Sequence, residues 1–119
     1  MSEVLRSSVK EKLAVGGIVS SMTVRLVPSV DIVHIIKSAG FDTFYIDLEH
    51  SPLSIETANQ LASAALLAGI DCFARVSANT PEYVSRVLDA GCLGVIAPGV
   101  ESANEARTVV EGAKYAPVG

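Results

Sequence analysis

Tryptophan is absent from this 119-residue sequence, and charge is modest: nine Lys and Arg against 13 Asp and Glu leave a formal net charge of -4. A slightly acidic chain carries no electrostatic footprint for nucleic acid, so that class of partner is excluded. Cysteine is scarce as well. Cys72 and Cys92 stand alone, without the paired spacing of a zinc site or a secretory segment that would place them in an oxidising compartment, and both are expected to be reduced and buried. The first fifteen residues include Glu3, Arg6, Lys10, Glu11 and Lys12, which leaves neither the apolar stretch of a signal peptide nor a membrane span. A cytoplasmic location with no membrane partner is expected. No linker, low-complexity tract or block of like charge divides the sequence, whose length suits one compact unit or part of one. Apolar residues are plentiful, at half of the chain, which excludes the disordered class.

The dipeptides Ala39-Gly40, Ala68-Gly69 and Ala90-Gly91 each close a stretch of helical periodicity and precede a short apolar run. Glycine just after a helix and a strand soon after it is the expected reading. The first of these helices follows Pro28-Ser29 with Ile32, Ile35, Ile36 and Ala39 on one face; the second starts near Ser54 with Ile55, Ala58, Ala62, Ala65 and Leu66. A third has Thr80 to cap it, Pro81 at its first position, Glu82 at the positive end of its dipole, and Val84, Val87 and Leu88 as its inner stripe. The fourth opens with a capping box, Ser102 to Glu105, and presents Ala103, Ala106, Val110 and Ala113, with Lys114 at its negative end. A leading helix from about Ser2 to Ala14 carries Val4, Leu5, Val9 and Leu13.

Strands are expected at Gly17 to Met22, Thr43 to Glu49, Asp71 to Ser77 and Gly94 to Pro98. Four strand-then-helix units imply parallel pairing, either in an open doubly wound sheet or in half of an eight-stranded barrel. The first strand-to-helix turn, Ser20-Ser21-Met22-Thr23-Val24-Arg25, lacks the glycine-rich phosphate loop of a nucleotide-binding sheet, which favours the barrel. The fold class is therefore α/β, the first four βα units of a TIM (β/α)8 barrel behind an N-terminal helix. A complete barrel needs roughly 250 residues.

The second strand departs from the all-apolar pattern of a parallel strand buried on both faces, because Asp47, Glu49 and His50 gather at its C-terminal end. Barrel enzymes place their reacting groups at that end. In the next strand Arg75 sits among apolar residues, where a charge needs a partner. The partner could be Asp47 or Glu49 on the adjacent strand, or a substrate carboxylate, which the planar guanidinium accepts bidentately. His50 beside a bound acid would titrate in the range useful for proton transfer, and a small 2-oxo acid suits such a site. His34, between Val33 and Ile35, reads as a packed or solvated helix residue, and Tyr45 faces the barrel lumen.

The segments Phe41-Asp42, Ile46-Asp47-Leu48-Glu49-His50-Ser51-Pro52-Leu53, Arg75-Val76, Leu88-Asp89-Ala90-Gly91, Ala97-Pro98-Gly99-Val100-Glu101 and Lys114-Tyr115-Ala116-Pro117 occur in an order that resembles the HpcH/HpaI aldolase family over nearly the whole chain. The resemblance implies a class II aldolase on a (β/α)8 barrel that cleaves or forms 4-hydroxy-2-oxo acids through a pyruvate enolate. It implies His50 as the acid/base group, Arg75 as the holder of the pyruvate carboxylate, and Asp47 and Glu49 as organisers of the site around metal-bound water. Asp89 matches a family aspartate that pairs with the histidine. Its place at a helix end, on the far face of the barrel, means either that a neighbouring subunit donates it or that it is a surface carboxylate near Arg86. A divalent metal of the Mg2+ or Mn2+ type is expected of the full-length family, with none of its ligands in this chain. Residues 1–119 then read as a partial barrel domain that stops before the metal-ligand strands. The partners implied are a small 2-oxo acid such as pyruvate or oxaloacetate, an aldehyde, and further copies of the chain in a homo-oligomer. Two other readings stay open: an oxaloacetate decarboxylase or macrophomate synthase-like enzyme on the same scaffold, and a non-catalytic half-barrel that self-associates.

Overall fold

The computed structural model describes residues 6–119. Its order is α1 (Ser8–Ala14), β1 (Ser21–Val24), α2 (Asp31–Ser38), β2 (Thr43–Asp47), α3 (Ile55–Ala68), β3 (Asp71–Arg75), α4 (Pro81–Asp89), β4 (Gly94–Ile96) and α5 (Ala103–Gly112). All strand pairs are parallel, and the strands lie side by side in the order β1-β2-β3-β4. A doubly wound sheet reverses its strand order at a switch point, whereas a barrel adds each strand next to the last. The sequential order makes this wedge the first four βα units of a TIM barrel.

The two faces of the sheet differ. Val24, Phe44, Ile46, Cys72 and Ala74 are buried beneath the helices, together with Val33 and Ile36 of α2, Leu61 and Ala62 of α3, and Val87 of α4. Each large side chain buried there contributes about 1.5–3 kcal/mol. The alternate positions, Thr23, Tyr45, Asp47, Phe73 and Arg75, lie on the other face, because side chains alternate along a strand. Gly94 leaves room on that face for the ring of Phe73, since a Cβ there would come within 2.7 Å of it.

Several expectations need correction. The first strand begins at Ser21 rather than Gly17, because residues 15–20 turn the chain out of α1. Gly16 takes φ 81° and its N–H donates to Leu13 O, while Gly17 N–H donates to Lys12 O, the paired closure of a Schellman motif. The second helix buries Val33 and Ile36 and leaves Ile35 at 60% exposure, because four apolar residues in five positions fit more than one stripe. The inner stripe of α3 includes Leu61, while Leu66 is exposed. The largest miss is α5, which buries nothing: Ala103, Ala106, Val110 and Ala113 face outward, and Thr108, Val109 and Gly112 turn partly inward. Gly112 is there because it touches Pro81, where a Cβ would be 2.7 Å from Pro81 Cα. Val4 and Leu5 lie outside the described residues.

The caps follow the sequence closely. Ser54 Oγ accepts from Thr57 N–H, and Ser102 Oγ accepts from Glu105 N–H. Glu105 reaches back to Glu101 N–H at 2.6 Å, completing the capping box one residue earlier than expected. Thr80 makes no side-chain cap, so α4 begins on Pro81 alone.

Below the sheet, α1 is held by a buried carboxylate from another element. Asp71, 3% exposed at the start of β3, accepts from Ser7 Oγ at 2.5 Å, Ser8 Oγ at 3.1 Å, Ser8 N–H at 3.3 Å and Val9 N–H at 3.2 Å. Lys12 adds an exposed pair with Asp42 at 2.8 Å. Asp71→Ala should therefore lower stability by about 1–3 kcal/mol in urea unfolding, since donors at the helix start lose a buried acceptor. Lys12→Ala should cost less than about 1 kcal/mol. Equal losses in the two variants would show that the clasp is not what anchors α1.

Candidate active site

Arg25 directly follows Val24, which pairs with Ile46, and Asp47 pairs with Arg75. Arg25, Asp47 and Arg75 thus occupy one rung across the C-terminal ends of three strands, on the face that the helices leave open. Asp47 is fully buried and saturated. Its Oδ1 accepts from the backbone N–H groups of Glu49 and His50, each at 3.0 Å, and from Arg75 Nε at 3.2 Å; its Oδ2 accepts from Arg75 Nη2 at 2.6 Å. The hydrogen bond from Arg75, with help from the two backbone N–H groups and against the opposing effect of burial, lowers the Asp47 carboxyl to about 2. Ser51 Oγ donates to Asp47 O and so ties down the far side of the same turn.

The turn that Asp47 shapes presents Glu49 and His50. Glu49 Oε1 lies 3.1 Å from His50 Nε2 and 3.6 Å from Arg75 Nε, and the His50 side chain is 63% exposed. Arg75 lies over the Tyr45 ring, 5.8 Å from its centroid. The structure thus brings Asp47, Glu49, His50 and Arg75 together. It settles the resting partner of Arg75 as Asp47, yet a guanidinium has more than one edge. Asp47 takes the Nε–Nη2 edge, Nη1 makes no hydrogen bond among the described residues, and the Nη1–Nη2 edge can still receive a carboxylate with two parallel N–H groups.

Asp89 is not part of this cluster. It is the last residue of α4, which runs back against the strands, and it lines a 360 Å³ cleft with Leu88, Ala113, Lys114 and Tyr115. Arg25 belongs to the cluster although the sequence reading assigned it no role: its Nη2 donates to His50 O at 2.8 Å, and its Nε is 3.5 Å from Asp47 Oδ2. A cation one residue past a strand end, level with Asp47, was the available signal.

Among the described residues, no three His, Cys, Asp or Glu side chains gather into a metal-binding group. The cluster itself does not fit a divalent cation, because the Arg75 guanidinium and two backbone N–H groups occupy the Asp47 oxygens, Arg25 stands 3.5 Å from one of them, and Glu49 is the one other carboxylate beside them. Cys72 and Cys92 are free and buried, and contact with Cys92 together with burial pushes the Cys72 thiol up, away from nucleophilic use. No helix among the described residues is long and apolar enough to cross a membrane.

Residues 26–119, which include Asp47 to His50 and Arg75, match the profile of the HpcH/HpaI aldolase/citrate lyase family. The chain belongs to that family. A 4-hydroxy-4-methyl-2-oxoglutarate aldolase of Hapsidospora irregularis is 40% identical over 109 residues, which are 91% of this chain and 40% of that protein. The crystal structure of an HpcH/HpaI aldolase from Desulfitobacterium hafniense superposes with a TM-score of 0.89 at 38% identity, over 96% of this chain and 44% of that one. Macrophomate synthase superposes with a TM-score of 0.76 at 26% identity, over 97% of this chain and 40% of that one. The chain spans less than half the length of these three relatives.

Within this family wedge, the depressed Asp47 carboxyl makes stability depend on acid. Its folded pKa of about 2 lies below the ordinary value near 3.9, so its contribution is complete above that ordinary value and is lost as the pH falls through about 2. The urea midpoint of the wild type should drop between roughly pH 4 and pH 2. Asp47→Asn should be less stable at pH 7 and lose less over that interval, with a remainder from Asp42, which its hydrogen bond to Lys12 also lowers to about 2. An unchanged acid slope in Asp47→Asn would contradict the buried pairing.

Proposed function

We propose that the chain provides the carboxylate-binding and proton-transfer part of an aldolase that cleaves or forms 4-hydroxy-2-oxo acids through a pyruvate enolate. The observation that carries this reading is the Nη1–Nη2 edge of Arg75, whose Nη1 makes no hydrogen bond among the described residues, with the adjacent Nε–Nη2 edge locked by Asp47 and with Glu49 between Arg75 and His50. The locked edge fixes the guanidinium plane before substrate arrives, so a 2-oxo acid carboxylate meets a prearranged pair of donors. In the cleavage direction a base removes the proton of the 4-hydroxyl, the C3–C4 bond breaks, and its electron pair becomes the enolate while the aldehyde departs. A proton then goes to C3 to give pyruvate. His50 is the group assigned to that proton traffic; Glu49, 3.1 Å from Nε2, orients the ring, which leaves Nδ1 as the nitrogen for the substrate proton.

A divalent cation of the Mg2+ or Mn2+ type belongs to this reading, with its ligands outside this chain. When bound it would polarise the 2-oxo group and so lower the cost of the enolate. Asp89 is assigned as a partner for the histidine of a neighbouring subunit in a homo-oligomer, since its own helix end lies on the far face. A second reading, decarboxylation of oxaloacetate to the same enolate, draws on the likeness to macrophomate synthase. Products from pyruvate plus aldehyde, compared with products from oxaloacetate alone, separate the two.

In the protein with its barrel complete, His50→Ala should lower pyruvate methyl-proton exchange by roughly a hundredfold or more. Arg75→Lys should raise KM for 2-oxo acids, because a point charge replaces the fork. Near-normal exchange in His50→Ala would assign the proton to another group, and an unchanged KM in Arg75→Lys would remove the arginine from substrate binding.

A further inference from the structure

Arg25 is a poor fit to a purely structural role. Its side chain is 54% exposed, and its Nε stands 3.5 Å from an Asp47 oxygen that Arg75 Nη2 already holds at 2.6 Å. Glu49 is the second carboxylate of the cluster, but it stands 3.6 Å from Arg75 Nε, so both carboxylates lie closer to Arg75 or His50 and none makes a hydrogen bond to Arg25 among the described residues. The bond from Arg25 Nη2 to His50 O, 2.8 Å long, nonetheless fixes where that guanidinium sits, so a cation with no carboxylate hydrogen bond is placed rather than loose. Nη1 of Arg25 makes no hydrogen bond among the described residues, as is true of Nη1 of Arg75. The two Cα atoms are two strand spacings apart, about 9.5 Å, and both side chains lean toward the Asp47 between them. That arrangement offers two sets of charge-assisted donors on one face, with His50 at its rim.

Resting on the reading of Arg75 given above, we propose that Arg25 is a specificity-determining residue that binds a second carboxylate, so that the site selects short dicarboxylic 2-oxo acids over monocarboxylic ones. Arg75 takes the carboxylate next to the oxo group and Arg25 takes the distal one. The selectivity arises because a methyl group in place of the distal carboxylate leaves the Arg25 charge unanswered, whereas a carboxylate gains a charge-assisted hydrogen bond.

The test compares 2-oxoglutarate with 2-oxopentanoate, which have the same carbon chain and differ in the terminal group. In the protein with its barrel complete, binding of each is measured by calorimetry with Mg2+ in the buffer, for the wild type, Arg25→Gln, Arg25→Lys and Arg75→Lys, with urea unfolding to verify that each variant is folded. The wild type should prefer 2-oxoglutarate by about tenfold. Arg25→Gln should bring that preference close to one by weakening the diacid alone, Arg25→Lys should restore part of it, and Arg75→Lys should weaken both acids. If Arg75→Lys weakens both acids while Arg25→Gln leaves the preference unchanged or weakens both acids equally, the second-carboxylate role is overturned and the reading of Arg75 stands. If the wild type binds neither acid, both are overturned.

Discussion

A carboxylate buried at the end of a parallel strand is costly unless every lone pair finds a donor, and Asp47 is the residue on which the rest of the site turns. Two of its donors come from Arg75 and two from the backbone of the turn that follows it. The same four hydrogen bonds that make its burial tolerable set the plane of the Arg75 guanidinium and the path of the chain through Glu49 and His50. Removing the charge would loosen a cation on one strand and a turn on another at once. Stability and site geometry are therefore one problem here, solved by one side chain.

The opposite end of the sheet shows the same device in a contact between two elements. Asp71 is also a buried aspartate at a strand terminus, and it also gathers donors from another element, in this case Ser7, Ser8 and Val9 at the start of α1. Its partners are hydroxyl and backbone groups that each have a single N–H or O–H, spent in the contact, so it locks α1 beneath the sheet and leaves no spare donor there. Asp47 instead binds a side chain with five N–H donors and takes only two of them. The donors left over are what the proposed carboxylate site at the C-terminal end of the wedge would use, the end where barrel enzymes carry their chemistry.

Much of this was legible in the sequence because the signals were local. The post-helix glycines at 40, 69 and 91 all adopt positive φ, and Ser54 and Ser102 cap where their spacing said they would. Asp47, Glu49, His50 and Arg75 stood out as polar residues in strands that should be apolar. The misses share a different cause. Which side of α2 or α5 faces inward depends on packing partners distant in sequence, so Ile35 and Val110 were assigned to faces that turn out to be exposed. Arg25 was passed over because its meaning comes from register: only pairing of Val24 with Ile46 brings it level with Asp47. Sequence alone does not choose between protein and substrate as the partner of Arg75 for a similar reason, and the answer depends on which edge of the guanidinium is meant.

Arginine side-chain NMR addresses that division of edges most directly. With Mg2+ present, the Arg75 Nε–H signal should be protected from solvent exchange before any ligand is added, and titration with pyruvate should shift the Nη signals while Nε–H stays protected by Asp47. Loss of Nε–H protection on adding pyruvate would mean that substrate displaces Asp47 rather than sharing the guanidinium with it. Arg75 signals that do not respond to pyruvate at all would mean that the pair is structural and that the carboxylate binds elsewhere.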